Sequence, residues 1–362
     1  MLSSLPKLAD KAFIIGFVLP TSLFVIALLA TLSSEYLGPE TTSALANGDI
    51  TKVVYFVFAV WLLSVMMLLL NTALYRILEG YTWPLARCGY MFKRQKEKFD
   101  GLNDRVRELR ARRRNDPNSL SGKEEEELQD KWVELKARFP SDCSILLPTR
   151  FGNAILAFEQ YPKDVYDADG VTLWYHLSAV TPKDFRANIG DARAQVDALV
   201  NFVFYSIGLA AIAAGLLALR VLDSVWRHSG IGSAVFSARS LALLLIAVAG
   251  IVVAYFSYRF SVQKAYSWGN WVRAAFDCYL PALAKTLGLR LPPEGDQQRE
   301  LWRSVVFRAA LGLRFDPARW ALVESAAGSP GESAESAEKS KNGADSDEGG
   351  KDGDPNGDDD GE

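Results

Sequence analysis

Four side chains that could carry out acid–base or metal chemistry lie close together in the sequence. His176 follows Glu159, Asp167 and Asp169, and an imidazole beside carboxylates is a common set of proton carriers or ligands. A histidine in an amphipathic element is more often structural, and the chain has no phosphate-binding glycine loop, HExxH, GxSxG or dinucleotide motif. We therefore predict that the protein is not an enzyme and assign no catalytic residue. A site built from scattered residues would escape such motifs, and turnover that depends on Glu159 or His176 would reveal one.

A second group of possible ligands lies in the last part of the sequence. Its spacing matches the start of a calcium-binding loop, and its members are Asp352, Asp354, Asn356, Gly357, Asp358 and Asp360. No helical pattern flanks these residues, so we interpret them as low-complexity acidic sequence. The three cysteines, Cys88, Cys143 and Cys278, are far apart and form no CxxC pair, which argues against disulfides and thiolate metal sites. We predict no cofactor and no metal site.

The elements that would position any site are four uncharged apolar segments. They cover residues 12–32, 53–75, 199–219 and 240–258, and each is near the roughly 20 residues that an α-helix needs to cross a bilayer. We therefore predict an all-α integral membrane protein with four transmembrane helices. The first segment exceeds the apolar core of a signal peptide and contains Pro20, so we expect it to be a retained, kinked helix. Because none of the four segments contains a charged side chain or a histidine, the sequence disfavours a proton-coupled transporter.

Small side chains predict how two of these helices pack. Ser206, Ala210, Ala214 and Ala218 recur every four residues in the third segment, and the fourth contains Ala247, Gly250 and Ala254. Small residues allow two helix backbones to approach closely in a membrane. We expect the third and fourth helices to form a tight hairpin.

The distribution of charge predicts the orientation in the membrane. The chain of 362 residues has a net charge of −3, but residues 331–362 contain twelve acidic and three basic side chains, which leaves +6 for the rest. The loop after the second segment is rich in lysine and arginine. Residues 33–50 contain neither and carry the acids Glu35, Glu40 and Asp49. By the positive-inside rule, both termini and the central loop are cytoplasmic.

Residues 92–140 predict a charged helical hairpin with a coiled-coil seam. Phe99, Leu102, Val106 and Leu109 alternate in spacings of three and four, and Leu128, Trp132, Leu135 and Phe139 repeat the pattern after a break at residues 115–118. Ser121 and Glu124 have capping-box spacing at the second helix. The arginines that end the first helix face the glutamates that begin the second, which would cancel the field of an arginine patch for nucleic acid or acidic lipid. We therefore expect no nucleic acid among the partners.

The most individual segment is residues 144–177. Thr149 is placed to cap a short helix with an apolar face of Phe151, Ala154, Ile155 and Phe158, and we expect Arg150, Asn153 and Glu159 to lie outside that face. The run Pro148-Thr149-Arg150-Phe151-Gly152-Asn153, with Glu79-Gly80-Tyr81 after the second apolar segment, resembles a group of uncharacterised bacterial multi-pass membrane proteins with a Pro-Thr-Arg-x-Gly-Asn segment. This chain has Trp174-Tyr175-His176-Leu177 where that group suggests Trp-Pro-Arg-Leu. The resemblance implies a membrane fold, located in the cytoplasmic membrane of a bacterium, and no activity.

These patterns divide the chain into six parts. They are a first transmembrane hairpin (1–91), the charged helical hairpin (92–140), a cytoplasmic helical segment (141–197), a second transmembrane hairpin (198–259), cytoplasmic amphipathic helices (260–325) and a disordered acidic tail (326–362). We expect 141–197 and the later amphipathic helices to form one small helical domain. Its tryptophans suit either a membrane-interface belt or the core of that domain.

The expected function is that of a membrane-anchored interaction or scaffold protein. The cytoplasmic helices would present a surface to a protein partner or to another copy of the chain, in addition to the lipid bilayer. The candidate interaction residues are Trp132, Leu135, Arg150, Asn153 and Glu159. An oligomeric channel or pore-forming effector is the alternative, because a pore can be lined by hydroxyls, aromatic rings or apolar gates.

Overall fold

The computed structural model describes residues 10–32, 50–226 and 237–312, and in these ranges the chain is mainly helical, with no β-strand. The predicted outward loop at 33–50 lies outside them except for its last residue, and the predicted acidic tail at 326–362 lies outside them entirely. The helices are α1 (Lys11–Leu32), α2 (Ile50–Glu79), α3 (Gly89–Asn115), α4 (Gly122–Arg138), α5 (Arg150–Glu159), α6 (Tyr161–Tyr166), α7 (Gly170–Val180), α8 (Lys183–Trp226), α9 (Ala238–Thr286) and α10 (Gly295–Leu311).

Four of these helices, α1, α2, α8 and α9, are long and apolar enough to cross a membrane, which is consistent with a multi-pass membrane protein. Each contains one predicted apolar segment, but α8 and α9 are far longer than those segments, with 44 and 49 residues. No proline interrupts α9 between Tyr258 and Pro281, so the helix continues beyond its apolar part. The first of the amphipathic helices expected after residue 260 is therefore the part of α9 that follows Tyr258.

The predicted close packing of the third and fourth apolar helices is confirmed. A Cβ atom added to Gly250 of α9 would lie 2.8 Å from the backbone oxygen of Ser206 and 2.9 Å from Cβ of Ala210, both on α8. Such distances leave no room for a side chain at position 250. The two helices thus pack closely against each other along this face.

Helix α1 packs on this pair through a polar contact that its proline makes necessary. Pro20 has no N–H group to donate to the carbonyl of Gly16, four residues earlier, and residues Ile14–Val18 form a π-helical turn. Asn201 of α8 instead donates its side-chain N–H to the Gly16 oxygen at 2.8 Å. Thr21 and Tyr205 add a hydroxyl–hydroxyl hydrogen bond of 2.7 Å between the same two helices. Buried polar groups on one helix are thereby satisfied by the other.

A large hydrophobic core joins α5, α7 and α10 to the first part of α8 and the last part of α9. Phe151, Phe276 and Trp302 are almost completely buried there, while Trp268 and Trp271 pack against the same core. Of the two expected roles for the tryptophans of this region, Trp302 has the core role. The packing agrees with the expected association of the central segment and the later amphipathic helices.

Helices α3 and α4 lie side by side as a hairpin with the predicted residues between them. Phe99, Leu135 and Phe139 form one apolar cluster with Leu146, and Val106, Leu109 and Leu128 form a second cluster nearer the turn. The capping box of Ser121 and Glu124 is present with both of its hydrogen bonds. Arg105 pairs with Glu127, and Arg112 with Glu124, at 2.8 and 3.0 Å across the hairpin, as the facing charge blocks suggested.

Candidate functional site

The two segments that carry the family resemblance meet in space where α2 ends and α5 begins. Thr149 caps α5 by accepting the Gly152 N–H, and its hydroxyl donates to the carbonyl of Glu79 at 2.8 Å. A Cβ atom on Gly152 would lie 2.3 Å from that same carbonyl oxygen. Gly80 has a φ of +93° and packs against Pro148, so both glycines are required by geometry. We call this contact the α2–α5 joint.

Asn153 is part of the support of this joint and does not lie on a surface. The side chain is completely buried. Its amide accepts the N–H of Leu147 and donates to the oxygen of Leu147, both at 2.8 Å. The sequence had placed this residue outside the apolar face of its helix, whereas the loop before α5 folds back over it. A completely buried side chain is not available to a partner protein.

Trp132 and Leu135 hold the α3–α4 hairpin together. Leu135 is 6% exposed within the first apolar cluster. Trp132 is half-buried, contacts both clusters, and is covered by the guanidinium of Arg110 at 3.4 Å from its ring centre. A cation over an indole face stabilises the pair. Their roles in the described structure are thus internal to the hairpin.

Arg150 lines two adjoining cavities between the hairpin and α9, which we call the junction cavities. Their volumes are about 330 and 210 Å³. Both are lined by Gln95, Arg150, Tyr258 and Arg259, the larger also by Lys98, Glu134 and Arg138, and the smaller also by Tyr90 and Arg94. Sequence reasoning identified only Arg150 among these cations, because the others come from three further helices.

Glu159 borders a separate, aromatic cavity of about 430 Å³. Its other walls include Trp174, Trp268 and Phe276, with Arg186 and Arg193 at its edge. Burial by the surrounding chain and, as the smaller cause, the neighbouring charge of Asp169 together raise the pKa of Glu159 to about 6. Two members of the possible catalytic group have other partners. Asp167 pairs with Arg303, and Asp169 caps α7. These bonds give both aspartates structural roles.

A buried polar network was missed by the sequence analysis. Asp197 of α8 is 7% exposed and accepts hydrogen bonds from Asn71 at 3.1 Å and from Tyr75 at 2.8 Å, both on α2. Arg193 approaches the other carboxylate oxygen at 3.9 Å. Asp197 lies two residues before the predicted third segment, but its partners lie within the predicted second one. An ionisable side chain just outside the predicted third segment is therefore hydrogen-bonded to the last turn of the predicted second segment.

Metal ligands do not gather in the described ranges: no group of three or more His, Cys, Asp or Glu side chains there is arranged to hold an ion. The calcium-loop spacing at residues 352–360 lies outside those ranges. No family model matches the sequence, and no curated protein or solved structure is significantly similar to it.

Proposed function

We propose that α1, α2, α8 and α9 cross the cytoplasmic membrane of a bacterium, with both termini and the α3–α4 hairpin on the cytoplasmic side. The support is the excess of lysine and arginine after α2 and the acidic, lysine-free and arginine-free segment at 33–49. Chemical labelling tests this orientation. A chain that keeps only Cys143, which is exposed, should react with a membrane-impermeant maleimide only after the cells are permeabilised. A cysteine-free chain with Thr41→Cys should react in intact cells, and the opposite pattern would refute the orientation.

The function that the geometry supports best is a membrane-anchored interaction or scaffold protein that presents the hairpin to a protein partner or a second copy. The observation that carries it is the fixed attachment of the hairpin base. Arg273 of α9 donates to the carbonyls of Lys136 and Ala157 at 2.8 and 3.2 Å. Leu146 extends the first apolar cluster into the following loop. A rigid base holds the hairpin at a fixed angle to α9, which lowers the entropy cost of binding.

Site-specific photocrosslinking in cells tests this role. A crosslinker placed at Val133, which is 59% exposed on α4, should give one dominant adduct, either with a partner or with another copy. The matched control is Leu311 on α10, which is 63% exposed. The Val133 adduct should disappear when residues 105–127 are replaced by a short glycine-containing loop, because Arg105 and Glu127 face each other there. If Val133 gives the same adducts as Leu311, the scaffold proposal is wrong.

A pore is the second candidate, and the Asp197 network favours it. Ionisable groups at membrane depth commonly mark ion or proton paths, and Asn71 and Asn201 each have a buried side-chain oxygen without a hydrogen-bond partner among the described residues. Ion flux into liposomes that contain the purified chain distinguishes the two functions. A pore requires flux that changes in Asp197→Asn, whereas a scaffold gives no flux above that of empty liposomes.

A further inference from the structure

The junction cavities bring together an unusual number of cations from separate elements. Arg94 and Lys98 come from α3, Arg138 from α4, Arg150 from α5 and Arg259 from α9. Among the described residues, Glu134 is the only acid in their walls. Five cations and one carboxylate leave the walls with a formal charge of +4. Like charges in the walls of the same cavities repel each other, so the fold holds these cations together at a cost in free energy.

The chain does not neutralise most of this charge itself. Glu134 pairs with Arg138 at 2.5 Å, but Arg94, Lys98, Arg150 and Arg259 have no carboxylate partner within the described ranges. Nearer the hairpin turn, by contrast, Arg105, Arg112 and Arg113 face glutamates. The four cations at the junction cavities lack such partners among the described residues.

A buried polar side chain also points to a missing partner. Gln95 lines both cavities, is 6% exposed, and makes no side-chain hydrogen bond with the rest of the described chain. Its position in the cavity wall leaves that amide free to bond to a ligand.

The electrostatics of the walls favour an anion. The pKa of Lys98 is lowered by burial and by the positive charges of Arg150, Arg94, Arg138 and Arg259, which shows that the five groups share one field. Helix α5 begins at the same cavities, since Arg150 is its first residue, and the N-terminal end of a helix attracts negative charge. An anion would relieve the repulsion between these cations and raise the pKa of Lys98.

The position of the cavities at the end of an apolar helix segment indicates where the anion comes from. Tyr258 and Arg259 stand at the end of the apolar segment 240–258, and Tyr90 at the mouth is 74% exposed. Tyrosine and arginine at the end of an apolar helix are typical of the lipid headgroup region. Guanidinium groups bind phosphate oxygens with paired hydrogen bonds.

We propose that the junction cavities are a binding site for a phosphate group, which Arg150, Arg259 and Lys98 hold and Gln95 orients. A phosphate could reach them on an anionic phospholipid in the facing leaflet or on a soluble molecule. The proposal does not depend on the role of the hairpin as a scaffold. It does give the hairpin base a ligand that bridges α3, α5 and α9.

Binding to the full-length protein in a neutral detergent tests the site in two arms. The lipid arm compares short-chain phosphatidylglycerol with short-chain phosphatidylcholine by native mass spectrometry. The soluble arm titrates inorganic phosphate against chloride of equal ionic strength and follows the thermal midpoint. The variants are Lys98→Gln and the double change Arg150→Gln with Arg259→Gln. The control is Arg107→Gln, an exposed cation of α3 outside both cavities.

Preference for phosphatidylglycerol without a response to phosphate identifies a lipid site, and a phosphate-dependent rise in the midpoint identifies a soluble ligand. In either case Lys98→Gln should weaken binding about tenfold, which corresponds to about 1.4 kcal/mol, and the double variant should weaken it more. Lys98 is exposed, so this variant should fold normally, and its midpoint without ligand checks that it does. The proposal is overturned if neither ligand binds, or if the cavity variants bind as well as Arg107→Gln.

Discussion

Replacement of Gly152 by alanine tests the α2–α5 joint with the addition of a single carbon atom. The new Cβ would lie 2.3 Å from the Glu79 carbonyl oxygen, 2.8 Å from Cδ1 of Leu147 and 3.0 Å from the Glu79 carbonyl carbon. Close carbon–oxygen contacts in proteins are about 3.3–3.6 Å. The start of α5 and the end of α2 must therefore separate by about 1 Å, because neither atom of Glu79 belongs to a flexible side chain.

The expected cost of this separation has two parts. An overpacked methyl group costs about 1–3 kcal/mol when backbone has to shift. The hydrogen bond from the Thr149 hydroxyl to Glu79, 2.8 Å long, is stretched by the same movement, and its loss costs about 1 kcal/mol. We expect Gly152→Ala to destabilise the fold by about 2–4 kcal/mol, which lowers the thermal midpoint by several degrees in a chain of this size.

The assay is the thermal midpoint of the purified protein in detergent, followed by tryptophan fluorescence. Gly101→Ala in α3 is the matched control, because a Cβ there has no neighbour within 4 Å and alanine favours a helix by up to about 1 kcal/mol. Gly101→Ala should leave the midpoint unchanged or raise it. If the two variants unfold at the same temperature, the close contact between α2 and α5 is not present and the explanation of the joint fails.

Three further changes test other parts of the fold by the same midpoint. Ser121→Ala removes the capping box of α4 and should cost about 1 kcal/mol, whereas an unchanged midpoint would mean that the cap is not formed. Gly250→Val should separate α8 from α9 and destabilise strongly, while Gly208→Val, with open space around it, should have little effect; similar losses in both would contradict the packing. Glu159 has a pKa of about 6 in the folded chain against 4.5 ordinarily, so its contribution to stability is present below pH 4.5 and is lost as the pH rises through 6. Glu159→Gln should flatten the midpoint over that pH range, and a slope equal to that of the unchanged chain would argue against the raised pKa.

The sequence predicts the elements whose signals are local. The apolar segments, the alternating seam of the hairpin and the capping box at Ser121 each depend on residues within a few turns of one another. The close approach at Gly250 also follows, because small residues at four-residue spacing leave a groove in the helix surface. All four of these features are present in the structure.

The candidate sites depend on residues that the fold brings together from distant parts of the chain. Lys98, Arg150 and Arg259 are too far apart in sequence for any spacing rule to link them, and only the packing of α3, α5 and α9 makes them neighbours. Asp197 lies just outside the predicted third segment, and the sequence does not show that Asn71 and Tyr75 of another helix bond to it. The sequence did not predict the burial of Asn153 for a related reason, since the loop before α5 covers this side chain.

The bond between Asn201 and the Gly16 carbonyl also has a consequence for biosynthesis. The two residues are 185 positions apart, and ribosomes add roughly 5–20 residues per second, so Asn201 is made about 10–40 s after Gly16. During that interval the first helix has a backbone carbonyl that its own proline leaves without a donor. In the proposed membrane orientation this carbonyl depends on another donor, such as water, until the helix that contains Asn201 has been made.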